Sequence, residues 1–361
     1  MNGKNVVVAM SGGVDSSVAA ALMVKHGYNV TGLMLKLWAG DCVSSDNACC
    51  TPEAIHQARQ VAGNLGIPFY VVDVQQEFKK IVVDPFIEMS TRGLTPNPCF
   101  YCNQNVRWGV LLDKATKMGA EYLVTGHYAI NEEDQGHVFH LKKGVDAKKD
   151  QSYILSGLNQ NKLQKTIFPL GKYKKEEVRL IAEEYKFEVA QKPDSQDLCF
   201  VGEGGYRSFL RQYSTSPITK GKIRDLSGEI VGEHNGLAYY TIGQRKGLGS
   251  GYKSPVYVID KDVKNNEIII GNLESLKYST ITAGPFNWIS GYKPPFDCEY
   301  EVKIRYKANP KKATLFEDRD GLIKIIFNNP VRDVTLGQLA VVYDEDEVIG
   351  SGIIHDIFRE K

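Results

Sequence analysis

The segment Val6-Val7-Val8-Ala9-Met10-Ser11-Gly12-Gly13-Val14-Asp15-Ser16-Ser17 constrains this chain most, because an apolar run empties into a two-glycine turn that opens a helix. A continuous apolar run reads as a strand buried on both faces, and such strands belong to parallel sheets covered by helices. The turn then presents glycines, hydroxyls and a carboxylate at a helix start, where the first amides lack partners within the helix and point at an arriving anion. Gly12 and Gly13 permit close backbone approach, and Ser11, Ser16 and Ser17 offer hydroxyls. Asp15 offers oxygens to cap the helix or hold a metal. No lysine follows in the Gly-Lys-Ser/Thr arrangement, which excludes a Walker A loop, and the three-glycine dinucleotide fingerprint is also absent.

The pattern repeats downstream. Val30–Leu35, Phe69–Val74 and Tyr122–Gly126 predict strands, and Ser16–His26, Pro52–Leu65, Asn105–Met118 and Lys174–Tyr185 predict helices. This alternation gives an α/β fold with a doubly wound parallel sheet, whose ligands sit beyond the carboxyl ends of the strands. The Ser11 loop, Leu35 and the Gly126-His127 pair converge there. Trp38–Thr51 and Thr91–Asn103 read as long irregular excursions of the kind that carry function. After about Phe200 the texture becomes period-two: Val256–Asp260 and Glu267–Gly271 flank a turn, and Tyr300–Tyr306, Leu322–Phe327 and Gln338–Tyr343 follow. The expected division of the 361 residues is a sheet domain over 1–200, a small connector over 201–275 and a C-terminal β-barrel over 276–361.

Composition excludes whole classes. Hydrophobic residues at 42% and charged residues at 24% rule out a disordered or fibrous chain, and no apolar run reaches the roughly 20 residues that cross a membrane. Met1-Asn2-Gly3-Lys4 leads directly into the first strand, so the expected location is the cytoplasm. Net charge is only +1, yet Lys142, Lys143, Lys148, Lys149, Lys172, Lys174 and Lys175 crowd one region, and Arg245, Lys246 and Lys253 another. Such patches suit a phosphate backbone or, equally, a solvated face.

Seven cysteines in a chain of this kind argue for thiol or metal chemistry rather than a disulfide framework. Cys99 and Cys102 follow Thr95-Pro96-Asn97-Pro98, placing two thiols in a proline-stiffened loop before a helix, where a helix start favours the thiolate. Cys199 lies in the polar run Asp194-Ser195-Gln196-Asp197-Leu198-Cys199-Phe200, a setting for a redox or nucleophilic thiol or for a small apolar filler. Cys298 reads as a filler of the β module, and Cys42, Cys49 and Cys50 belong to an uncommitted loop. His127 ends a strand and is expected to face the crevice.

Together these motifs resemble a family. Ala9 to Ser16 resembles the PP-loop of N-type ATP pyrophosphatases, a Rossmann-like fold. With Thr95–Pro98, Cys102-Asn103, Thr125–Tyr128, Lys149–Tyr153, Ser195–Phe200 and Thr241–Gly249, nearly the whole chain is similar to the MnmA family of tRNA-specific 2-thiouridylases. The resemblance implies an enzyme that adenylates the C2 oxygen of the wobble uridine in tRNAs for Lys, Glu and Gln, using ATP and Mg²⁺, and then installs sulfur. It assigns ATP contacts to Ala9, Met10, Ser11, Gly12, Gly13, Val14, Asp15, Ser16, Leu35 and Gly126. The target base falls to Asn97, Pro98 and Cys99, and further tRNA contacts to His127, Lys149, Asp150, Gln151, Arg305, Tyr306 and Gln338. Cys199 would carry a persulfide from a sulfur carrier or cysteine desulfurase, with Cys102 as its catalytic partner, in a protein acting as a monomer.

One departure stands out. The family loop usually reads Asn-Pro-Asp-x-x-Cys, and here Cys99 takes the place of Asp. Cys99, Cys102 and Cys199 therefore resemble the three-cysteine set with which related thiolation enzymes hold a [4Fe-4S] cluster; alternatively, Cys99 is a bystander to a Cys102/Cys199 pair. Competing readings are a PP-loop amidotransferase-type synthetase, a cluster-dependent enzyme thiolating another RNA uridine, and an RNA- or metal-binding module with a vestigial loop.

Overall fold

The computed structural model describes residues 3–40, 51–193, 198–202, 204–249, 252 and 254–358. Cys42, Cys49, Cys50, Lys253 and positions 194–197 of the Cys199 run lie outside the described residues. The first domain holds strands β1 (Asn5–Ala9), β2 (Asn29–Lys36), β3 (Phe69–Asp73), β4 (Tyr122–Val124), β5 (Ala129–Glu133), β6 (Phe139–Lys143) and β7 (Thr166–Ile167). Five of these form a parallel sheet in the order β3-β2-β1-β4-β7, with Val6 level with Val30 on one side and Tyr122 on the other.

Successive side chains of β1 point to opposite faces, so its apolar run serves two cores. Val6 and Val8 join a cluster with helices α1 (Val14–Lys25) and α2 (Pro52–Leu65), whereas Val7 joins Leu33, Leu123, Phe100 and Trp108 on the other face. Helix α1 lies largely inside; its run Ala19-Ala20-Ala21 is fully buried, and small side chains let the sheet approach closely. Helix α2 has the bounds read from sequence, because Thr51 caps it by accepting from the Ala54 amide at 3.0 Å and Gly66 closes it in the left-handed region.

The connector is a four-stranded sheet of Tyr257–Asp262, Glu267–Gly271, Gly221–Arg224 and Ile230–His234. The C-terminal domain is a closed barrel of six strands, Lys277–Trp288, Glu299–Lys303, Lys311–Glu317, Ile323–Arg332, Leu339–Asp344 and Glu347–Phe358, the first and last pairing to shut it. No helix among the described residues is long and apolar enough to cross a membrane.

Two features depart from the sequence reading. The expected Thr91–Asn103 loop ends early, since a helix begins at Pro98 and continues through a wide-turn segment, Cys102–Leu111, into Leu112–Lys117. The polar hairpin β5–β6 was not anticipated; it leaves the first domain and extends the barrel sheet through Glu347 opposite Lys142.

That junction is pinned electrostatically. His140 of β6 sets Nδ1 2.7 Å from Glu347 Oε1 and Nε2 3.2 Å from Asp134 Oδ2, and the Glu347 hydrogen bond, with Asp134 behind it, raises the imidazole pKa above 6.5 against a smaller cost of burial. A raised base stabilises the fold fully below its unfolded pKa and loses that contribution as pH rises through the folded one. His140→Gln should therefore lower the melting temperature at pH 6, by an amount equivalent to about 1 kcal/mol, and have little effect at pH 9. Calorimetric scans at the two pH values check this, and an equal loss at both would refute the pin.

Candidate functional site

The β1–α1 turn is held by hydrogen bonds from its own hydroxyls and amides. Ser11 donates its amide to Ser16 Oγ at 3.1 Å, and the two hydroxyls lie 3.3 Å apart. Ser16 Oγ and Ser17 Oγ donate to the Gly13 carbonyl at 3.1 and 2.9 Å, folding the turn back on itself. Met10 and Val14 are buried in the core, so they anchor the loop and offer backbone only, while Ser11 is exposed. Gly12 is required: its φ is +71°, and a Cβ there would overlap the Ala54 carbonyl at the start of α2. Gly126 closes the other side, where a Cβ would come 2.8 Å from the Asp15 backbone. Leu35 packs nearby between two apolar clusters.

Asp15 does not cap α1; Gly13 occupies the cap position with no side-chain bond. Asp15 Oδ1 accepts from Tyr128 Oη and from Lys175 Nζ, each at 2.7 Å. Lys175 is buried, and the sequence reading had grouped it with a surface lysine patch. Within that patch Lys142 and Lys172 share Glu132 at 3.3 and 2.9 Å, and Lys143 pairs with Glu301 at 3.4 Å.

Cys99 and Cys102 belong to a helix, not to a loop. Asn97 Oδ1 accepts from the Phe100 amide at 3.1 Å, and Pro98 takes the first helical position. Asn followed by Pro is a helix-start signal that could have been read from the sequence. Cys99 is exposed, whereas Cys102 and Cys199 are half-buried and pack against one apolar cluster around Phe78, Val82, Phe86 and Phe200. Among the described residues no three His, Cys, Asp or Glu side chains gather to hold a metal.

The loop before this helix is held by both other domains. Gly93 O accepts from Lys261 Nζ of the connector at 3.1 Å, Thr95 N donates to Leu336 O of the barrel at 3.0 Å, and Gln338 Nε2 donates to Thr95 O at 2.8 Å. Burial pushes the Lys261 ammonium down to about 8.

Several residues expected to meet RNA turn inward. His127 is 5% exposed; Arg107 donates to its Nε2 at 2.9 Å, which leaves Nδ1–H to donate to Thr125 Oγ1 at 2.8 Å. Burial, aided by the Arg107 charge, holds it well below 6.5, so the ring is neutral. Asp150 is also buried, accepting from the Gly144 and Ser152 amides and from Ser152 Oγ. Gln151 Oε1 accepts from the Tyr128 amide at 3.0 Å, and so braces the residue that holds Asp15. Arg305 donates to Ile242 O at 3.0 Å and to Thr335 Oγ1, tying barrel to connector. Tyr306 is half-buried beside Cys99 and Asp150, its phenol pushed up to about 12, chiefly by burial. Lys149 remains half-exposed next to them. Arg107, Lys175 and Tyr128 are the residues the sequence reading missed as supports.

Known proteins match this architecture along the chain. Family models for a tRNA methyl transferase HUP domain, a tRNA methyl transferase PRC-barrel domain and an aminomethyltransferase beta-barrel domain match residues 4–203, 207–272 and 278–354. A tRNA-specific 2-thiouridylase MnmA of Clostridioides difficile is 43% identical over 353 residues, 97% of this chain and 98% of its own. A tRNA-specific 2-thiouridylase MnmA 2 of a Thermoanaerobacter species is 42% identical, covering 97% of each chain. Among solved structures, the U34-tRNA thiolase NcsA from Methanococcus maripaludis with its [4Fe-4S] cluster is similar at 22% identity and a TM-score of 0.35, over 59% of this chain and 65% of that one. By these full-length relatives, the chain belongs to the MnmA family of tRNA-specific 2-thiouridylases.

Proposed function

We propose that this protein is an ATP-dependent tRNA-uridine 2-sulfurtransferase acting at the wobble uridine of tRNAs for Lys, Glu and Gln. The observation that carries the reading is that a hydroxyl-lined, lysine-free phosphate loop and two half-buried thiols on a shared cluster lie in one domain, with a barrel held against the loop that precedes the thiols. ATP binds at Ala9 to Ser16, with Leu35 and Gly126 at its flank. The uridine C2 oxygen attacks the α-phosphate, pyrophosphate leaves, and the adenylated oxygen becomes a leaving group. Asp15, whose Oδ2 accepts no hydrogen bond among the described residues, would hold a Mg²⁺ ion arriving with the nucleotide, and that ion would supply charge neutralisation to the departing pyrophosphate.

Cys199 receives sulfur as a persulfide from a sulfur carrier or cysteine desulfurase. Cys102 attacks the Cys199 sulfur, closing a disulfide and releasing hydrosulfide, which attacks C2 and expels AMP; a dithiol reductant then restores both thiols. Asn97, Pro98 and Cys99 face the target base, and Lys149, Arg305, Tyr306 and Gln338 border the RNA. Asp150, Gln151 and His127 act behind them as supports. The protein works as a cytoplasmic monomer.

The decisive measurement is ATP turnover to AMP and pyrophosphate with and without unmodified tRNA. RNA should raise the rate at least about tenfold; RNA-independent turnover, as an ammonia-using synthetase would show, refutes the reading. Cys199→Ser and Cys102→Ser should each lower 2-thiouridine formation more than about 100-fold while leaving tRNA affinity unchanged. Gly12→Ala, which strains φ and crowds α2, should raise the KM for ATP by about 10- to 100-fold, corresponding to the 1–3 kcal/mol of a forced backbone. A normal KM would show that the turn is not the nucleotide site.

A further inference from the structure

The barrel strand Glu299–Lys303 ends in a lysine with an unusual environment. Lys303 is half-buried, and its ammonium lies 5.9 Å from the Tyr153 ring centre and 5.7 Å from that of Tyr306, the rings themselves being 6.2 Å apart. No hydrogen bond or ion pair joins Lys303 to any described residue. Asp150 is near enough to be felt but is already engaged by the Gly144 and Ser152 amides and the Ser152 hydroxyl. Tyr153 donates its hydroxyl to Leu339 O at 3.0 Å, so only its ring is offered. The Tyr306 hydroxyl has no acceptor among the described residues.

A half-buried ammonium normally finds an anion, because partial desolvation without a counter-charge is costly. Tyrosine faces stabilise the cation weakly and leave its three N–H donors unmatched. The neighbouring lysines, by contrast, have carboxylate partners. Here an ammonium and a phenol both want an acceptor beside Cys99, whose thiol is close enough to perturb Tyr306.

We infer that Lys303 and the Tyr306 hydroxyl form a phosphate-binding notch at the junction of barrel and first domain, taking a backbone phosphate of the RNA next to the base held at Asn97 to Cys99. The inference rests on the RNA-modifying reading above. Two tyrosine rings and the strand end fix the ammonium in place, so the notch positions the RNA and takes no part in bond making.

The test is the salt dependence of binding to an unmodified anticodon stem-loop, read by fluorescence anisotropy across salt concentrations. Each phosphate neutralised contributes about 0.7–0.9 to the slope of log affinity against log salt. Lys303→Met should reduce the slope by that amount and weaken binding about tenfold at low salt, whereas Lys303→Arg should retain the slope. In the unaltered protein, saturating stem-loop should protect the Lys303 amine from an amine-reactive reagent, a readout that does not depend on how a variant folds. A wild-type slope in Lys303→Met, or unchanged labelling of Lys303, overturns the notch. Absence of salt-dependent RNA binding by the wild-type protein overturns the sulfurtransferase reading itself.

Discussion

The strand Leu339–Asp344 is buried on both faces, and the arrangement of the molecule depends on that fact. Ala340 and Val342 fill the barrel interior, while Leu339, Val341 and Tyr343 point outward into the core that Val7, Leu123 and Trp108 build beneath the parallel sheet. At about 1.5–3 kcal/mol for each large side chain removed from water, three outward residues join barrel to sheet domain strongly. The barrel is thus part of the first domain's second core rather than a tethered appendage. Because strand Glu299–Lys303 pairs with Leu339–Asp344, the same packing fixes where Lys303 and, just beyond the strand, Arg305 and Tyr306 stand.

Held in that frame, the segment before the thiol helix is positioned from every side. Lysine and glutamine side chains from two domains grip its carbonyls, and Asn97 caps the helix that follows. Loop carbonyls that would otherwise pair with water are satisfied by side chains, which lowers the number of conformations available to Cys99. The β1–α1 turn is held differently, by hydroxyls folded onto Gly13 O and by Asp15 clamped between Lys175 and Tyr128. Gln151 bonds the Tyr128 amide, and Asp150 beside it is satisfied by amides and a hydroxyl; both support the site from within.

The sequence carried the parts whose burial is one-dimensional. Val6–Val8 and Gln338–Tyr343 read as strands because runs of apolar residues are intolerable elsewhere, and the predicted Pro52–Leu65 helix matches α2 because its ends are set by Thr51 and Gly66, whose chemistry is local. Hairpin β5–β6 was illegible because Ala129–Glu133 and Phe139–Lys143 are polar and find their partners in a strand some 200 positions away. His127 was legible only in part, for the same reason. Its position at the end of β4 was correct, but its orientation is set by Arg107, on a helix whose approach no local pattern encodes.

Charge shows this limit most sharply. Lys142, Lys143, Lys172 and Lys175 form an apparent basic patch in the sequence, yet each meets a carboxylate, and for Lys143 and Lys175 that carboxylate lies 158 and 160 positions away, Lys175's partner standing in the β1–α1 turn. Lys303 sits in the evenly mixed segment Glu301-Val302-Lys303-Ile304-Arg305 and attracts no notice there, but folding strips its surroundings of acceptors and leaves aromatic faces instead. A lysine's availability to an external anion is the difference between the charge it carries and the partners that tertiary structure supplies. In a chain of net charge +1, recognition of a polyanion therefore has to come from cations the fold leaves unpaired, and counting them requires the three-dimensional arrangement.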